Sequence, residues 1–296
     1  MQLNRRQLIL LVLLTLVWGF NWPVMKLGVT DFPPLAFRAL CMWLGLPVMA
    51  LSIVVLRHSF VVPRAHWREL FWLGVTNSLV WQVLIMVALA NLSSGRAAIL
   101  AYSMPIFSAL LSVMFYGERL GLRSLLGVLA ATGGMVLLLW HEVAVLSGTP
   151  WGVLCALLAA ATWALGMRQM RATRIPATTL TLSFWMACMT VLALTLLSWL
   201  FERDDWVWPT PTVWGSVGYN AVLAFGFAAT TQMYLARTLP PLAASLSVML
   251  IPILGVFSGA TLLGEVLHWQ DWAAVVLMVG AMGSVLMPQR TPPKPD

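Results

Sequence analysis

The chain has 296 residues, of which 60% are hydrophobic and only 9% carry a formal charge. Soluble domains carry roughly a quarter charged residues, so this composition excludes a water-soluble globular protein. The formal net charge of +7 would suit a nucleic-acid partner as well as a membrane protein, and the distribution of the charges along the chain decides between them.

Long apolar runs recur along the whole chain, each close to the roughly 20 residues that cross a bilayer core as a helix. In chain order they predict ten transmembrane helices, near residues 7–27, 34–56, 69–91, 96–116, 122–141, 150–168, 177–201, 212–236, 240–263 and 269–288. Helices satisfy their backbone polar groups internally, as the bilayer core requires. The predicted fold is therefore an all-α integral membrane protein.

The second half of the chain repeats the first at a constant offset of 147 residues. The clearest features that recur at this offset are Pro105 and Pro252, followed by Gly117-Glu118 and Gly264-Glu265. The offset predicts two five-helix repeats, residues 1–146 and 147–296. Because five is odd, the second repeat must cross the membrane in the opposite sense, and such inverted repeats are typical of secondary transporters. We expect the two glutamates to end helices or to bond short loops.

The basic residues are concentrated on one side of the predicted membrane. Thirteen Lys and Arg residues fall in the termini and loops of one side, and only Lys26, Arg96 and Arg203 fall on the other. Seven of the ten acidic residues lie on that second side. The positive-inside rule therefore predicts cytoplasmic N- and C-termini. The charge reflects membrane topology, and no nucleic-acid partner is expected.

Pro105 and Pro252 lie away from the ends of the predicted fourth and ninth helices. A proline inside a helix removes one hydrogen bond, which here frees the carbonyls of Ala101 and Val248. In a membrane such carbonyls must face protein, water or substrate. Both prolines are interpreted as helix kinks. They either serve packing alone or mark broken helices that line a substrate site.

Polar side chains inside the spans are few, and together with tryptophans away from the span ends they indicate a substrate site. The candidate substrate-binding residues are Trp18, Asn21, Arg38, Asn77, Ser78, Gln82, Tyr102, Trp163, Trp185, Asn220 and Ser245. For each polar residue the alternative is a hydrogen bond between neighbouring helices, and for each tryptophan it is core packing. Arg38 could hold a substrate carboxylate, pair with Asp31 or extend to the membrane surface. At the 147-residue offset Arg38 pairs with Trp185, so the repeat is not chemically symmetric.

Other site chemistries lack their residues in this sequence. No Asp, Glu or His lies in the middle of a predicted span, although proton relays commonly use them, so a facilitator is favoured over a proton-coupled pump. The three cysteines and four histidines show no metal-ligand spacing. No zinc-protease motif or nucleophile elbow is present, so the chain is not expected to be an enzyme. We expect no metal and no cofactor.

The ten spans, with Pro105 before Gly117-Glu118 and Pro252 before Gly264-Glu265, resemble the EamA family of the drug/metabolite transporter superfamily. Trp18-Gly19 and Phe37-Arg38 are also similar to that family. The resemblance covers nearly the whole chain and, on overall similarity, is greatest to the YddG-type exporters of aromatic amino acids and metabolites. It implies an exporter in a bacterial inner membrane.

The expected function is export of amino acids, aromatic ones included, and related metabolites by alternating access with broad specificity. The expected partners are the small-molecule substrate and the lipid bilayer, and the protein is expected to be a monomer. The alternatives are an efflux carrier for other solutes, such as a drug cation or a sugar phosphate, and a facilitative channel. A phosphate site would need several buried basic residues, and only Arg38 is available.

Overall fold

The structure is a computed structural model that describes residues 5–116, 122–144, 150–229, 231–232, 235 and 241–286. Ten helices follow one another in these residues: α1 (Arg5–Thr30), α2 (Pro34–Val55), α3 (Arg64–Asn91), α4 (Ser94–Ala101 and Met104–Tyr116), α5 (Leu122–Ala144), α6 (Pro150–Ala172), α7 (Thr179–Phe201), α8 (Pro211–Gly218, continued by Tyr219–Ala228), α9 (Pro241–Leu263) and α10 (Trp269–Leu286). A short 3₁₀ turn, Arg203–Asp205, separates α7 from α8. The predicted all-α fold of ten helices is confirmed.

The helices have the length and surface that a bilayer requires. Among the residues that the structure describes, six segments are long and apolar enough to cross a membrane: Arg5–Thr30, Pro34–Val55, Arg64–Asn91, Ser94–Leu111, Pro150–Ala172 and Thr179–Phe201. Large apolar side chains such as Leu51, Val55 and Val276 are exposed on the outside of the bundle. An apolar outer surface of this kind is stable against lipid and unfavourable against water. The chain is a multi-pass membrane protein.

Local sequence explains where several helices begin. Ser93, Thr178 and Thr210 precede α4, α7 and α8, and each side-chain oxygen accepts a hydrogen bond from the backbone N–H three residues later. Such an N-cap satisfies one of the donors that a helix leaves free at its start. Pro34 and Pro211 occupy the first turns of α2 and α8, where no N–H donor is needed.

The pairing of the helices repeats between the two halves. The contact of α1 with α9 corresponds to that of α6 with α4, and the contact of α3 with α6 corresponds to that of α8 with α1. Similarly, the contact of α2 with α8 corresponds to that of α7 with α3. Three further contacts, α2 with α7, α4 with α9 and α5 with α10, each join equivalent helices of the two repeats. Exchanging the two halves therefore converts the most extensive helix contacts into one another. This is the arrangement expected of two structural repeats.

Small residues bring α4 and α9 into close contact. A Cβ atom on Gly255 would lie 2.8 Å from the Cβ of Ala98, and one on Gly95 would lie 3.0 Å from the Cα of Val256. The first distance is shorter than side chains tolerate and the second is tighter than most Cβ contacts, so glycine at these positions favours the close crossing. Small residues in membrane helices commonly allow such close approach.

The helices that carry the matched prolines differ in continuity between the two repeats. In the first repeat α4 is interrupted at Tyr102–Ser103, and it resumes at Met104, just before Pro105. In the second repeat α9 runs from Pro241 to Leu263 without interruption and contains Pro252. A broken membrane helix therefore occurs in the first repeat alone among the described residues of this pair.

Two further irregularities occupy equivalent positions in the repeats. α3 contains a π-helical segment, Val75–Leu79, and α8 contains the π-helical segment Tyr219–Ala228. The 147-residue offset places residues 222–226 of the second segment on the first. A π-helical turn holds one more residue than an α-helical turn, and such turns often occur at functional sites. These segments carry Asn77, Ser78 and Asn220.

Carboxylates of the second repeat bind helix N-termini of the first at the end of the bundle that carries the α1–α2 loop, here called the first-loop end. Glu265 accepts hydrogen bonds from Ser94 N at 2.6 Å and from Gly95 N at 3.2 Å. Glu202 accepts from Leu35 N and Ala36 N, both at 2.9 Å. Each carboxylate satisfies free N–H donors and meets the positive end of a helix dipole.

Gly264 lets Glu265 reach α4. Its φ of 66° lies in the left-handed region, which glycine adopts without strain and which turns the chain at the end of α9. Gly259 is equally required, because a Cβ there would overlap both the Glu265 carboxylate and the Ser94 hydroxyl. The predicted role of Glu265 at a helix end thus takes the form of a bond to another helix. Glu118, its sequence equivalent, lies outside the described residues.

Candidate functional site

A central cavity of about 270 Å³ lies between six helices of the bundle. Its walls come from α1, α2, α3, α4, α6 and α8, and thus from both repeats. The lining residues are Trp18, Asn21, Trp22, Met25, Arg38, Asn77, Trp81, Gln82, Ile85, Tyr102, Trp163, Ala224, Phe225 and Ala229. Its volume is close to the lower end of the roughly 300–1,000 Å³ usual for small-molecule sites.

Arg38 supplies the one charged side chain of the described cavity wall. It is buried, with 7% of its surface exposed. Its Nε donates to Gln82 Oε1 at 2.7 Å, and one terminal nitrogen donates to Asn220 Oδ1 at 3.1 Å. The guanidinium carbon lies 4.8 Å from the centre of the Phe225 ring. Two amide oxygens and an aromatic face therefore hold the cation.

None of the described residues supplies a carboxylate to Arg38. The remaining close contact of its guanidinium is with Met25 Sδ, at 3.7 Å from the same terminal nitrogen that Asn220 binds. A guanidinium has five N–H donors, so donors remain for a ligand in the cavity. Burying a cation costs several kcal/mol unless an anion compensates it. The geometry favours a ligand that brings a negative group.

Two amide side chains on the cavity wall have free polar atoms. Asn21 Oδ1 and Asn77 Nδ2 are buried without a hydrogen-bond partner in the described structure. Buried polar atoms are nearly always hydrogen-bonded, and an exception calls for an explanation such as a missing ligand or water. One atom is an acceptor and the other is a donor, so together they could bind a ligand that carries both groups.

Close contact between helices places Asn77 at the cavity. Gly166 of α6 packs against the π-helical segment of α3, and a Cβ atom on this glycine would lie 2.5 Å from the Cα of Asn77. Any larger residue would push the two helices apart. Gly166 is therefore a positioning residue for this part of the wall.

Aromatic rings form much of the remaining wall. Trp81 and Trp163 stack in a tilted arrangement with their ring centres 4.5 Å apart, joining α3 to α6. Trp22 and Tyr102 meet edge to face at 6.3 Å. Rings of this kind offer a large apolar surface with little conformational freedom to lose on binding. This part of the cavity suits an apolar or aromatic group.

The structure brings seven of the eleven predicted binding residues to this one cavity. They are Trp18, Asn21, Arg38, Asn77, Gln82, Tyr102 and Trp163. Asn220 is fully buried behind the wall, where it binds Arg38. Ser245 belongs to α9, and its side chain lies outside the described residues.

Ser78 and Trp185 lie elsewhere. The Ser78 hydroxyl accepts a hydrogen bond from Thr190 Oγ1 at 2.9 Å, which joins α3 to α7. Trp185 donates to the carbonyl of Phe60 at 2.8 Å and packs against Trp67 at 5.1 Å between ring centres. These contacts are the helix-joining and packing roles that the sequence left open as alternatives.

Seven further residues of the wall are absent from the sequence-based set: Trp22, Met25, Trp81, Ile85, Ala224, Phe225 and Ala229. A helical period would have found several of them. Trp18, Trp22 and Met25 follow one another at intervals of four and three residues, as do Asn77, Trp81 and Ile85 at intervals of four. Residues at this spacing share one helix face.

A second cavity lies near the first-loop end, between α2, α7 and the chain that precedes α8. Its volume is about 330 Å³, and its wall includes Trp43, Trp206, Trp208 and Trp214 but no charged residue. Two of its polar groups are already bonded to each other, since Trp43 donates to Thr195 Oγ1 at 3.0 Å. None of its described lining residues has a buried polar side-chain atom without a partner, unlike Asn21 and Asn77 of the central cavity, so the central cavity is the stronger candidate.

The repeated helices around a polar-spotted central cavity define a membrane transporter of the two-repeat class. The profile of the EamA-like transporter family matches residues 5–140 and 150–287. These matches span nearly the whole chain, and the chain belongs to this family.

Individual relatives agree with that membership. The chain is 26% identical over 287 residues to the "Uncharacterized inner membrane transporter YedA" of Escherichia coli K12, covering 94% of this chain and 91% of the relative. It is 26% identical over 292 residues to the "Probable amino-acid metabolite efflux pump" of Salmonella typhimurium LT2, covering 95% and 94%. A solved structure titled "Crystal structure of protein" superposes with a TM-score of 0.65 at 22% identity, covering 95% and 96%, and shows the same fold.

Proposed function

We propose that this protein exports amino acids, aromatic ones included, and related metabolites across a bacterial inner membrane with broad specificity. Family membership and a relative named as a probable amino-acid metabolite efflux pump support the substrate class. The relative named as an inner membrane transporter supports the location. The observation that carries the proposal is Arg38, a buried cation on a cavity wall with neutral partners alone among the described residues.

Arg38 favours a carboxylate-bearing solute for an electrostatic reason. Its partners Gln82 and Asn220 satisfy hydrogen bonds but leave the charge uncompensated. A carboxylate entering the cavity would provide both a counter-charge and oxygen acceptors, and guanidinium groups bind carboxylates especially well. A cationic drug would instead meet like charge. The proposal therefore ranks amino acids above the alternative of cationic drugs.

The proposed transport cycle is alternating access. The cavity is lined from both repeats, and the main helix contacts of one repeat recur in the other. A rearrangement of one half relative to the other can therefore open the cavity to either side. The carboxylate bonds of Glu202 and Glu265 join the repeats at the first-loop end. With cytoplasmic termini, as the charge distribution predicts, this end faces the periplasm, and the proposed direction of transport is towards it.

Transport is proposed to run down the substrate gradient without coupling to protons. The described wall of the cavity carries Arg38 and neutral side chains, and buried carboxylates or histidines are the usual proton carriers of coupled transporters. Flux that is unchanged by an imposed pH gradient would support uncoupled transport. Flux that requires the gradient would contradict it.

Reconstitution tests the proposed function directly. Purified protein is placed in liposomes loaded with a panel of labelled amino acids, and efflux is compared with that of empty liposomes. We expect saturable efflux of several amino acids, aromatic ones included, and counterflow when an unlabelled amino acid is present on the other side. Saturation with counterflow would also separate a carrier from a channel. Flux no greater than that of empty liposomes for every amino acid would contradict the proposal.

A further inference from the structure

Asn21 is a residue of the cavity wall whose side-chain oxygen bonds neither to a neighbouring helix nor to Arg38. Its side chain is buried, with 9% of its surface exposed, and it lines the central cavity. Its Oδ1 has no hydrogen-bond partner in the described structure. An amide oxygen without a donor in a low-dielectric site is costly, so a ligand with an N–H group would be bound there favourably.

The position of Asn21 relative to Arg38 follows from α1. Met25 Sδ contacts a terminal nitrogen of Arg38 at 3.7 Å. Asn21 precedes Met25 by four residues, so the two side chains are neighbours on one helix face, with Cβ atoms about 5–6 Å apart. Asn21 therefore lies on the helix face that meets Arg38, and both residues line the same cavity.

An α-amino acid carries both groups that these two residues can bind: a carboxylate for Arg38 and an ammonium for Asn21 Oδ1. From standard bond lengths and hydrogen bonds of about 2.8 Å, a zwitterion can bridge a donor and an acceptor roughly 6–8 Å apart. We infer that the cavity binds both charged groups of its substrate: Arg38 binds the carboxylate, and Asn21 Oδ1 accepts a hydrogen bond from the ammonium. The inference rests on the proposed function and names the substrate class within it as zwitterionic α-amino acids.

Asn77 completes the arrangement. Its free Nδ2 is a donor on the cavity wall and binds the second carboxylate oxygen. The side chain of the substrate then faces the wall formed by Trp18, Trp81 and Trp163. This wall is apolar and can contact side chains of different shapes. The two charged groups therefore determine the substrate class, and the rings accept varied substrate side chains.

A neutral acceptor at the ammonium site has a selective consequence. Asn21 contributes no charge, so a simple amine would meet the uncompensated cation of Arg38 without a counter-charge of its own. A simple carboxylate would leave Asn21 Oδ1 unsatisfied. Only a solute that carries both groups uses all the free polar atoms. The proposed ammonium acceptor has no counterpart in the second repeat, because Gly166 occupies the position of α6 that corresponds to Asn21 when Trp18 is aligned with Trp163.

Three compounds of nearly equal size test the inference: phenylalanine, 3-phenylpropionate and 2-phenylethylamine. Each is titrated into the detergent-purified full-length protein, and its Kd is obtained from the rise in unfolding temperature. We expect phenylalanine to bind at least about ten-fold more tightly than either analogue, as a hydrogen bond to a charged group implies. Asn21→Leu should remove the preference for phenylalanine over 3-phenylpropionate.

Two variants make the test specific. Asn21→Ser retains a shorter acceptor and should give an intermediate preference. Thr15→Val serves as the matched control, because Thr15 is buried on the same helix but does not line the cavity. Its hydroxyl donates to the carbonyl of Leu11, one turn earlier in the helix. The control variant should keep the full preference of the unmodified protein for phenylalanine.

The outcomes separate the inference from the proposed function. Equal binding of phenylalanine and 3-phenylpropionate by the unmodified protein would overturn the inference, as would a full preference retained in both Asn21 variants. Failure of all three compounds to bind would overturn it as well. In each of these cases amino-acid efflux from liposomes could still be observed, so the proposed function would stand. Preference without efflux would support the site and contradict the exporter.

Discussion

Glu265 offers the sharpest test of how the two repeats are held together. Its carboxylate accepts two hydrogen bonds from the N-terminus of α4, at 2.6 Å and 3.2 Å. A hydrogen bond to a charged group contributes about 1.5–3 kcal/mol. Because Glu265 is only half-buried and the longer bond is weaker, we expect Glu265→Ala to cost about 2–3 kcal/mol. Glu265→Gln keeps one acceptor oxygen and should cost about half as much.

The assay is thermal unfolding of the purified protein in one detergent at one scan rate. For a chain of this size the Ala variant should unfold roughly 3–5 °C below the unmodified protein. Asp204→Ala is the matched control, since Asp204 lies near the same end of the bundle and its side chain is 92% exposed. It should not change the unfolding temperature measurably. An Ala variant as stable as this control, or a Gln variant as unstable as the Ala variant, would refute the reasoning.

Three further substitutions have distinct expected outcomes. Gly166→Ala would place a Cβ 2.5 Å from the Cα of Asn77. We therefore expect a destabilisation of about 1–3 kcal/mol, measured by unfolding, and much reduced efflux from liposomes. Unchanged flux would contradict the close packing. Trp163→Ala should weaken binding of aromatic amino acids about ten-fold and of alanine little, whereas the exposed Trp140→Ala should weaken neither. Trp185→Phe removes one partly buried hydrogen bond and should lower stability by about 1 kcal/mol without changing substrate Kd; a changed Kd would contradict its assignment to packing.

The helices and the candidate site were partly predictable because the bilayer restricts both. Runs of about 20 apolar residues identify spans, since few other structures are stable in lipid. Inside those spans a polar residue is costly, so Asn21, Arg38, Asn77 and Gln82 stand out and need a physical explanation. They are brought together because polar side chains avoid lipid and turn towards the interior of the bundle.

Trp185 shows where reasoning from the repeat fails. The 147-residue offset pairs it with Arg38, which suggests a role on the opposite wall of one cavity. The second repeat is inverted, however, so the equivalent position lies near the other end of the bundle. There the α2–α3 loop covers it, through the carbonyl of Phe60 and the ring of Trp67. Loop contacts differ between the repeats, and the offset contains no information about them.

The π-helical segments were not predictable from local sequence. Val75–Leu79 and Tyr219–Ala228 contain ordinary apolar and polar residues with no proline or other signal of an irregular turn. In α3 the irregularity coincides with the close approach of Gly166, which is a tertiary contact between distant parts of the chain. The choice of Asn77 to face the cavity and of Ser78 to face α7 depends on that turn.

Efflux of a labelled aromatic amino acid by the Arg38→Gln variant tests the central claim most directly. The variant keeps a hydrogen-bonding side chain and removes the charge proposed to bind the substrate carboxylate. We expect the apparent affinity to fall roughly ten- to a hundred-fold. Arg203→Gln, which changes an exposed arginine outside the cavity, should transport normally. Normal affinity in the Arg38→Gln variant would contradict the account, because the substrate would then bind without the buried cation.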